Sequence, residues 1–448
     1  MKAHSYVDVH ERLSLIKTIP LSLQHVFAMF GATVLVPILT KLDPSVALFT
    51  SGLGTLIYIA CTQGKVPAYL GSSFAFIAPI IAVSAQLGPR AALAGCVAAG
   101  LVYLVVASVI WRIGLDWLDR LLPPVVIGSV IIVIGMGLAG TAIGMAGLNA
   151  QNASIMSRDV QIALFTLAVS IAGSIFFKGF LGVIPILVGV VSGYIFAILR
   201  GAVDLTAVAQ ARWLAVPSFS SPQFSWAAIA AIAPVALVTI TEHLGDTFVT
   251  SKVVGRDFYK NPGLHRTLLG DGLATSVAGL LGGPPNTTYG ENIGVMAITR
   301  VYSVWVIGGA ALIAILLSFV QKLGAAIRTI PTPVMGGICI LLFGIIAASG
   351  LRTLVESGID YSNKRNLVIS SVILVIGIGG ARLSFGPVQY SSMALATLTG
   401  ILLNLILPDM RPEPEEQEEP APGHERMVHG EESLERGVTV DLAGSGGR

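Results

Sequence analysis

Gly282-Gly-Pro-Pro-Asn-Thr-Thr-Tyr-Gly-Glu-Asn-Ile-Gly-Val-Met-Ala-Ile-Thr-Arg300 lies between two apolar runs and is too broken to cross a bilayer as one helix. A span needs about 20 mainly apolar residues. Pro284, Pro285, Gly290 and Gly294 instead predict a short extended piece, Asn286 to Tyr289, feeding a half-helix that starts near Gly290. Lipid offers no hydrogen bonds, so such backbone survives at membrane depth only when buried in protein or lining a cavity. The segment also sets a carboxylate, Glu291, at the helix start. A broken helix with an acid at its N-terminus is the layout of a transporter's substrate site.

The surroundings fit a membrane chain. Of 448 residues, 54% are hydrophobic and 12% charged, against about 25% charged in soluble domains. Fourteen apolar runs, some interrupted, fall near 18–40, 46–62, 66–86, 90–111, 123–146, 159–177, 182–200, 227–251, 266–282, 286–299, 302–320, 332–350, 365–380 and 390–408. An even count puts both termini on one side. With the N-terminus cytoplasmic, 15 Lys and Arg fall in inside connections, 8 outside and 4 in the C-terminal tail, which favours that orientation. The net charge of +2 gives no sign of nucleic-acid binding. Cys61, Cys96 and Cys339 all fall within spans, which argues against a disulfide framework. The polar first 17 residues, and the Gln24-His25 pair within the run behind them, are expected to form a cytoplasmic N-terminus and an unprocessed first span.

The two halves echo each other. Pro20 precedes Gly31 as Pro234 precedes Gly245; Pro124 to Gly128 matches Pro333 to Gly337; Ser72-Ser73-Phe74 matches Thr287-Thr288-Tyr289. The offsets are 214, 209 and 215 residues. A repeat of seven spans is odd, so the second copy must enter the membrane inverted. The expected fold is therefore an all-α polytopic membrane protein of fourteen transmembrane segments in two inverted repeats, 18–215 and 224–410. The short extended pieces of spans 3 and 10 pair near the midplane and aim half-helix dipoles at one pocket. Thr206–Gln223 reads as an amphipathic connector, and 411–448, Pro-rich and acidic at its start, as a disordered cytoplasmic tail.

Glu242 and Asp246 are one helical turn apart in an otherwise apolar span. Two ionised carboxylates side by side in a low dielectric repel strongly, so the pair is expected to hold a proton near neutral pH and to titrate as a unit. The plain alternative is a buried polar contact to Gln24 or His25. His243 points elsewhere on that helix and suits packing or hydrogen bonding. Glu291 serves at least as a first-turn acid, worth about 0.3–1 kcal/mol. In a broken span it reads better as a ligand for substrate. Phe74 and Tyr289 hold matching positions, and either ring could stack on a planar ligand or simply pack. No phosphate loop, catalytic triad or metal-ligand cluster is visible, which disfavours an enzyme, ATP-driven transport and any cofactor.

Glu291-Asn292-Ile-Gly294 through Thr299-Arg300 resembles in full the signature of the nucleobase–ascorbate transporter family, and Gln24-His25 its first-span pair. Ile19 to His25, Pro67 to Phe76 and Pro285 to Gly294 are similar to the family's bacterial uracil:proton symporters. The resemblance covers roughly residues 12–410. It implies a core domain (spans 1–4 and 8–11) moving against a gate domain (spans 5–7 and 12–14), a homodimer, and import of uracil with a proton across the bacterial inner membrane. By position it implies substrate contacts from Glu242, Glu291, Ser73, Phe74, Tyr289 and Gly290, and proton coupling through Glu242, Asp246 and His25. Asp246 departs from the His of the uracil carriers and matches purine carriers of the family. A purine (xanthine or urate) carrier is therefore the nearest rival, followed by an anion exchanger of similar architecture and a non-transporting sensor.

Overall fold

The computed structural model describes residues 6–408, apart from residues 152, 180 and 386–387. The expected tail at 411–448 lies outside the described residues. In chain order, α1 (Leu15–Thr40) and α2 (Pro44–Cys61) lead to β1 (Leu70–Ser72). A 3₁₀ turn, Phe74–Phe76, runs from β1 into α3 (Ile77–Leu87). Then come α4 (Pro89–Ile113), α5 (Asp116–Leu121), α6 (Pro124–Met136), α7 (Ala139–Met145), α8 (Arg158–Phe176), α9 (Pro185–Leu199) and α10 (Thr206–Gln210). The second half has α11 (Trp226–Ile232), α12 (Val235–Val254), α13 (Leu264–Leu281), β2 (Asn286–Thr288) and α14 (Gly290–Thr299). It closes with α15 (Val304–Ser318), α16 (Gln321–Arg328), α17 (Thr332–Glu356), α18 (Lys364–Ile378), a hairpin of β3 (Leu383–Phe385) and β4 (Val388–Tyr390), and α19 (Ser392–Ile406).

Local chemistry marks the boundaries. Asp43, Ser157, Ser303, Asn363 and Ser391 accept backbone N–H bonds at the starts of α2, α8, α15, α18 and α19. Proline opens α2, α4, α6 and α9, where a missing N–H costs nothing. Among the described residues, seven helical stretches are long and apolar enough to cross a membrane, with α6–α7 and α11–α12 each counting as one. The chain is multi-pass. Outward faces stay apolar, as at Leu101, Val105 and Trp111 on α4, which suits lipid contact.

Where helices meet, small residues let backbones close in, the usual device when lipid removes the hydrophobic incentive. A Cβ on Gly100 of α4 would stand 2.6 Å from the Gly272 carbonyl of α13. One on Gly350 of α17 would stand 2.7 Å from the Gly128 carbonyl of α6. The connector departs from a simple amphipathic stretch. After α10 it runs irregularly and is pinned at both ends of its path, by Leu214 bridging Val320 and by Arg90 bonding Ser221 at 2.9 and 3.0 Å.

Candidate functional site

The two extended pieces meet, as expected. β1 and β2 pair antiparallel with Leu70 opposite Thr288, Gly71 opposite Thr287 and Ser72 opposite Asn286. Flanking bonds lengthen the ladder: Tyr289 N–H to the Tyr69 carbonyl at 3.0 Å and Ser73 N–H to the Pro285 carbonyl at 2.9 Å. A two-stranded ribbon satisfies only its inner edge, and its outer edges must find partners elsewhere. Two threonines supply them. Thr55 of α2 accepts from Leu70 N–H at 2.9 Å and faces the Leu70 carbonyl, which also takes the Ser51 hydroxyl at 2.6 Å. Thr275 of α13 accepts from Asn286 N–H at 3.2 Å and donates to the Asn286 carbonyl at 3.0 Å. Asn286 reaches further, its amide donating to the Thr50 carbonyl at 3.0 Å.

From this ribbon the chain leaves in two directions, each into a helix start whose first N–H groups have no intrahelical partner. Gly290 and Gly294 of α14 are exposed, and a Cβ on either would meet nothing within 4 Å, so open space borders that helix end. Glu291 stands half-buried in its first turn. Glu242 and Asp246 of α12 are also half-buried. Asp246 accepts a 2.7 Å bond from the Thr288 hydroxyl, which ties α12 to β2. Among the described residues one oxygen of Glu242 and the Ser73 hydroxyl are buried without a partner. Buried polar atoms are normally bonded, and Asn286 Oδ1, Thr287 Oγ1 and Asn292 Oδ1 at the ribbon and the start of α14 are without a partner as well. No Lys or Arg pairs with Glu242, Asp246 or Glu291 among the described residues.

The two aromatic rings part company. Phe74 lies edge-on to Phe343 of α17, centroids 5.9 Å apart. Tyr289 is held at the ribbon's end by its own hydroxyl. Its hydroxyl donates to the Ser72 carbonyl at 3.0 Å and takes the Thr33 hydroxyl at 3.2 Å. Its ring covers Gly71, where a Cβ would collide with the ring carbon Cζ. His25 sits apart from the acids. Fully buried, it meets Asn292 of α14, whose amide lies 3.0 Å from His25 Nδ1 and donates to its carbonyl at 3.1 Å. The contact considered for Glu242 to His25 is therefore replaced by one to Asn292. His243 bonds Asp271 of α13 at 2.9 Å, both side chains fully buried, with Tyr58 and Tyr103 edge-on to the imidazole.

Asp271 and the two threonines Thr55 and Thr275 were not singled out from sequence, and Thr288 was named only for its place in the repeat. Asp271 was detectable, since it is an intramembrane acid like Glu242. The threonines were not, because hydroxyls are common in spans and only the ribbon gives these a partner. Two cavities of about 400 Å³ have no β1 or β2 residue in their linings. One runs beside α3 toward Thr141, Arg382 and Gln389.

The model of the Permease family (Xan_ur_permease) matches residues 16–385. The chain belongs to that family. It is 57% identical over 409 residues to the uracil permease of Bacillus caldolyticus, covering 90% of this chain and 94% of that one. To the uracil permease of Escherichia coli (strain K12) it is 52% identical over 401 residues, covering 89% and 93%. Among solved structures it resembles the transmembrane domain of the cyanobacterium bicarbonate transporter BicA, with a TM-score of 0.61 over 90% of this chain and all of that one. At 13% identity that likeness speaks for the fold alone.

Proposed function

We propose that the chain is a secondary active transporter that imports uracil by proton symport, by alternating access across the bacterial inner membrane, with both termini cytoplasmic. The observation that carries the reading is the crossing of β1 and β2 beside Glu242 and Glu291, at a helix start left open at Gly290. Uracil is planar and neutral, with two N–H donors and two carbonyls. Carboxyl groups of Glu242 and Glu291 suit the donors; free N–H groups at the half-helix starts, with the Ser73 hydroxyl, suit the carbonyls. Phe74 offers the stacking face. Tyr289 contributes by holding the ribbon and its backbone beside Gly290. A neutral substrate brings no charge, so the driving proton must reside on protein acids, Glu242 and Asp246, with His25 positioned through Asn292.

The same reading assigns fourteen spans in two inverted repeats, with the ribbon joining them in a core domain (spans 1–4 and 8–11) that moves against a gate domain (spans 5–7 and 12–14), and a homodimer. The like-for-like capping of Leu70 by Thr55 and of Asn286 by Thr275 supports the repeat. A purine substrate is the second reading, favoured by Asp246 and its bond to Thr288. An anion exchanger is disfavoured, because three carboxylates without a paired cation would repel its cargo.

Competition of labelled uracil uptake by pyrimidines, purines and ascorbate tests the assignment. Uracil should compete best and xanthine poorly, and a protonophore should collapse accumulation. Stronger competition by xanthine or urate would move the chain to the purine branch.

A further inference from the structure

A cavity of about 400 Å³ opens where three segments meet: the N-terminal stretch at His10, the turn after α2 at Lys65, and the loop after α12 at Arg256, Lys260 and Asn261. Arg256 Nη2 donates to both carboxylate oxygens of Asp8 at 2.8 Å, and Lys260 pairs with Asp257 at 3.3 Å. Among the described residues Lys65 has only a neutral partner, donating to the Asn261 side-chain oxygen at 2.9 Å. Three cations therefore face two carboxylates, and Lys65 carries the charge left over.

Membrane topology explains why basic residues lie on this side. It gives no reason for them to converge from separate segments on one cavity. The floor is firm as well. Phe258 is 1% exposed and packs in a small buried cluster with Tyr58, Val66, Ala68, Leu70 and Ala274. Leu70 belongs to β1, so the buried cluster beneath the cavity includes a residue of the ribbon.

We propose that this cavity binds a phosphate group. A guanidinium with one nitrogen engaged by Asp8, beside two ammonium groups, is a donor set that suits phosphate oxygens, and the volume admits a lipid headgroup or a mononucleotide. The residues are outside the transport site, so this proposal and the uracil assignment fail independently.

Purified full-length protein in detergent would be titrated calorimetrically with inorganic phosphate and with adenosine monophosphate. In parallel, thermal unfolding would be compared in nanodiscs of palmitoyl-oleoyl phosphatidylglycerol and phosphatidylcholine. Saturable binding of either soluble probe, weakened at least about fivefold in Lys65→Gln and restored in Lys65→Arg, supports a free-phosphate ligand; that loss corresponds to removal of one charge-assisted contact. A phosphatidylglycerol-dependent rise in Tm that only Lys65→Gln loses supports a lipid headgroup. Monodispersity and circular dichroism report whether the variants fold. No saturable binding and no lipid effect in the native chain, or effects that Lys65→Gln leaves unchanged, would overturn the proposal.

Discussion

The two arms of the ribbon solve one backbone problem and carry different chemistry. Each strand is three residues long, each is capped by a threonine from a neighbouring helix, and each runs into a helix start. The first arm then presents Ser73 and Phe74, neutral and buried, and winds through a 3₁₀ turn before its α-helix. The second presents Glu291 and Asn292 and enters an α-helix directly at an exposed glycine. Backbone satisfaction is a demand the membrane makes on both arms alike. Charge is not, and only the second arm carries it, at Glu291. The comparison separates what holds the crossing together from what acts at it.

The largest expected effect lies in the acid arm. Glu291→Gln should cut the initial rate of labelled-uracil uptake by about 100-fold, the loss of a charge-assisted bond of on the order of 3 kcal/mol. Ser73→Ala in the neutral arm should cost only about three- to tenfold, as for a neutral hydrogen bond. Membrane abundance of each variant controls for folding. Equal losses in the two arms would break the division of labour.

Next comes steric space. Gly71→Ala would drive a methyl into the Tyr289 ring, so it should destabilise the protein by about 1–3 kcal/mol, as overpacking does. Gly290→Ala meets nothing within 4 Å and should leave the melting temperature in detergent unchanged while weakening uracil affinity. A stable Gly71→Ala protein would mean that the ribbon yields where it is packed here.

The smallest effect sharpens the likeness of the arms. Thr55→Val and Thr275→Val each remove the hydroxyl that caps one strand's outer N–H and should lower stability by about 1 kcal/mol, the net worth of a hydrogen bond. Melting curves of the two single variants should nearly coincide. A large disparity would argue against equivalent places for the two threonines.

Much of this was readable in the chain because the signals are local. The apolar run at 18–40 became α1 at Leu15–Thr40, and the glycines and prolines of 282–294 marked both the strand and the start of α14. Glu242 and Asp246 were visible as acids one turn apart in an apolar helix. The hairpin of β3 and β4 was missed, its residues 383–390 falling at the edge between two apolar runs. Asp271 was as visible in sequence as Glu242, but its partner His243 lies on another helix, and only the packing of α12 on α13 brings the two together.

By itself, then, the sequence determined where helices begin and break and which residues are too costly to leave in lipid, since period, proline, glycine and charge act over a few residues. Only the tertiary structure decided partners. That Asp246 meets Thr288 rather than pairing with a basic group, that His25 serves Asn292, that His243 serves Asp271 and that Tyr289 closes over Gly71 all join residues brought together by the crossing of two distant strands. A hydrogen bond is set by ångström distances between groups that composition and period leave free to pair in many ways. The fold selects one pairing because every buried polar group at the crossing competes for the same few neighbours.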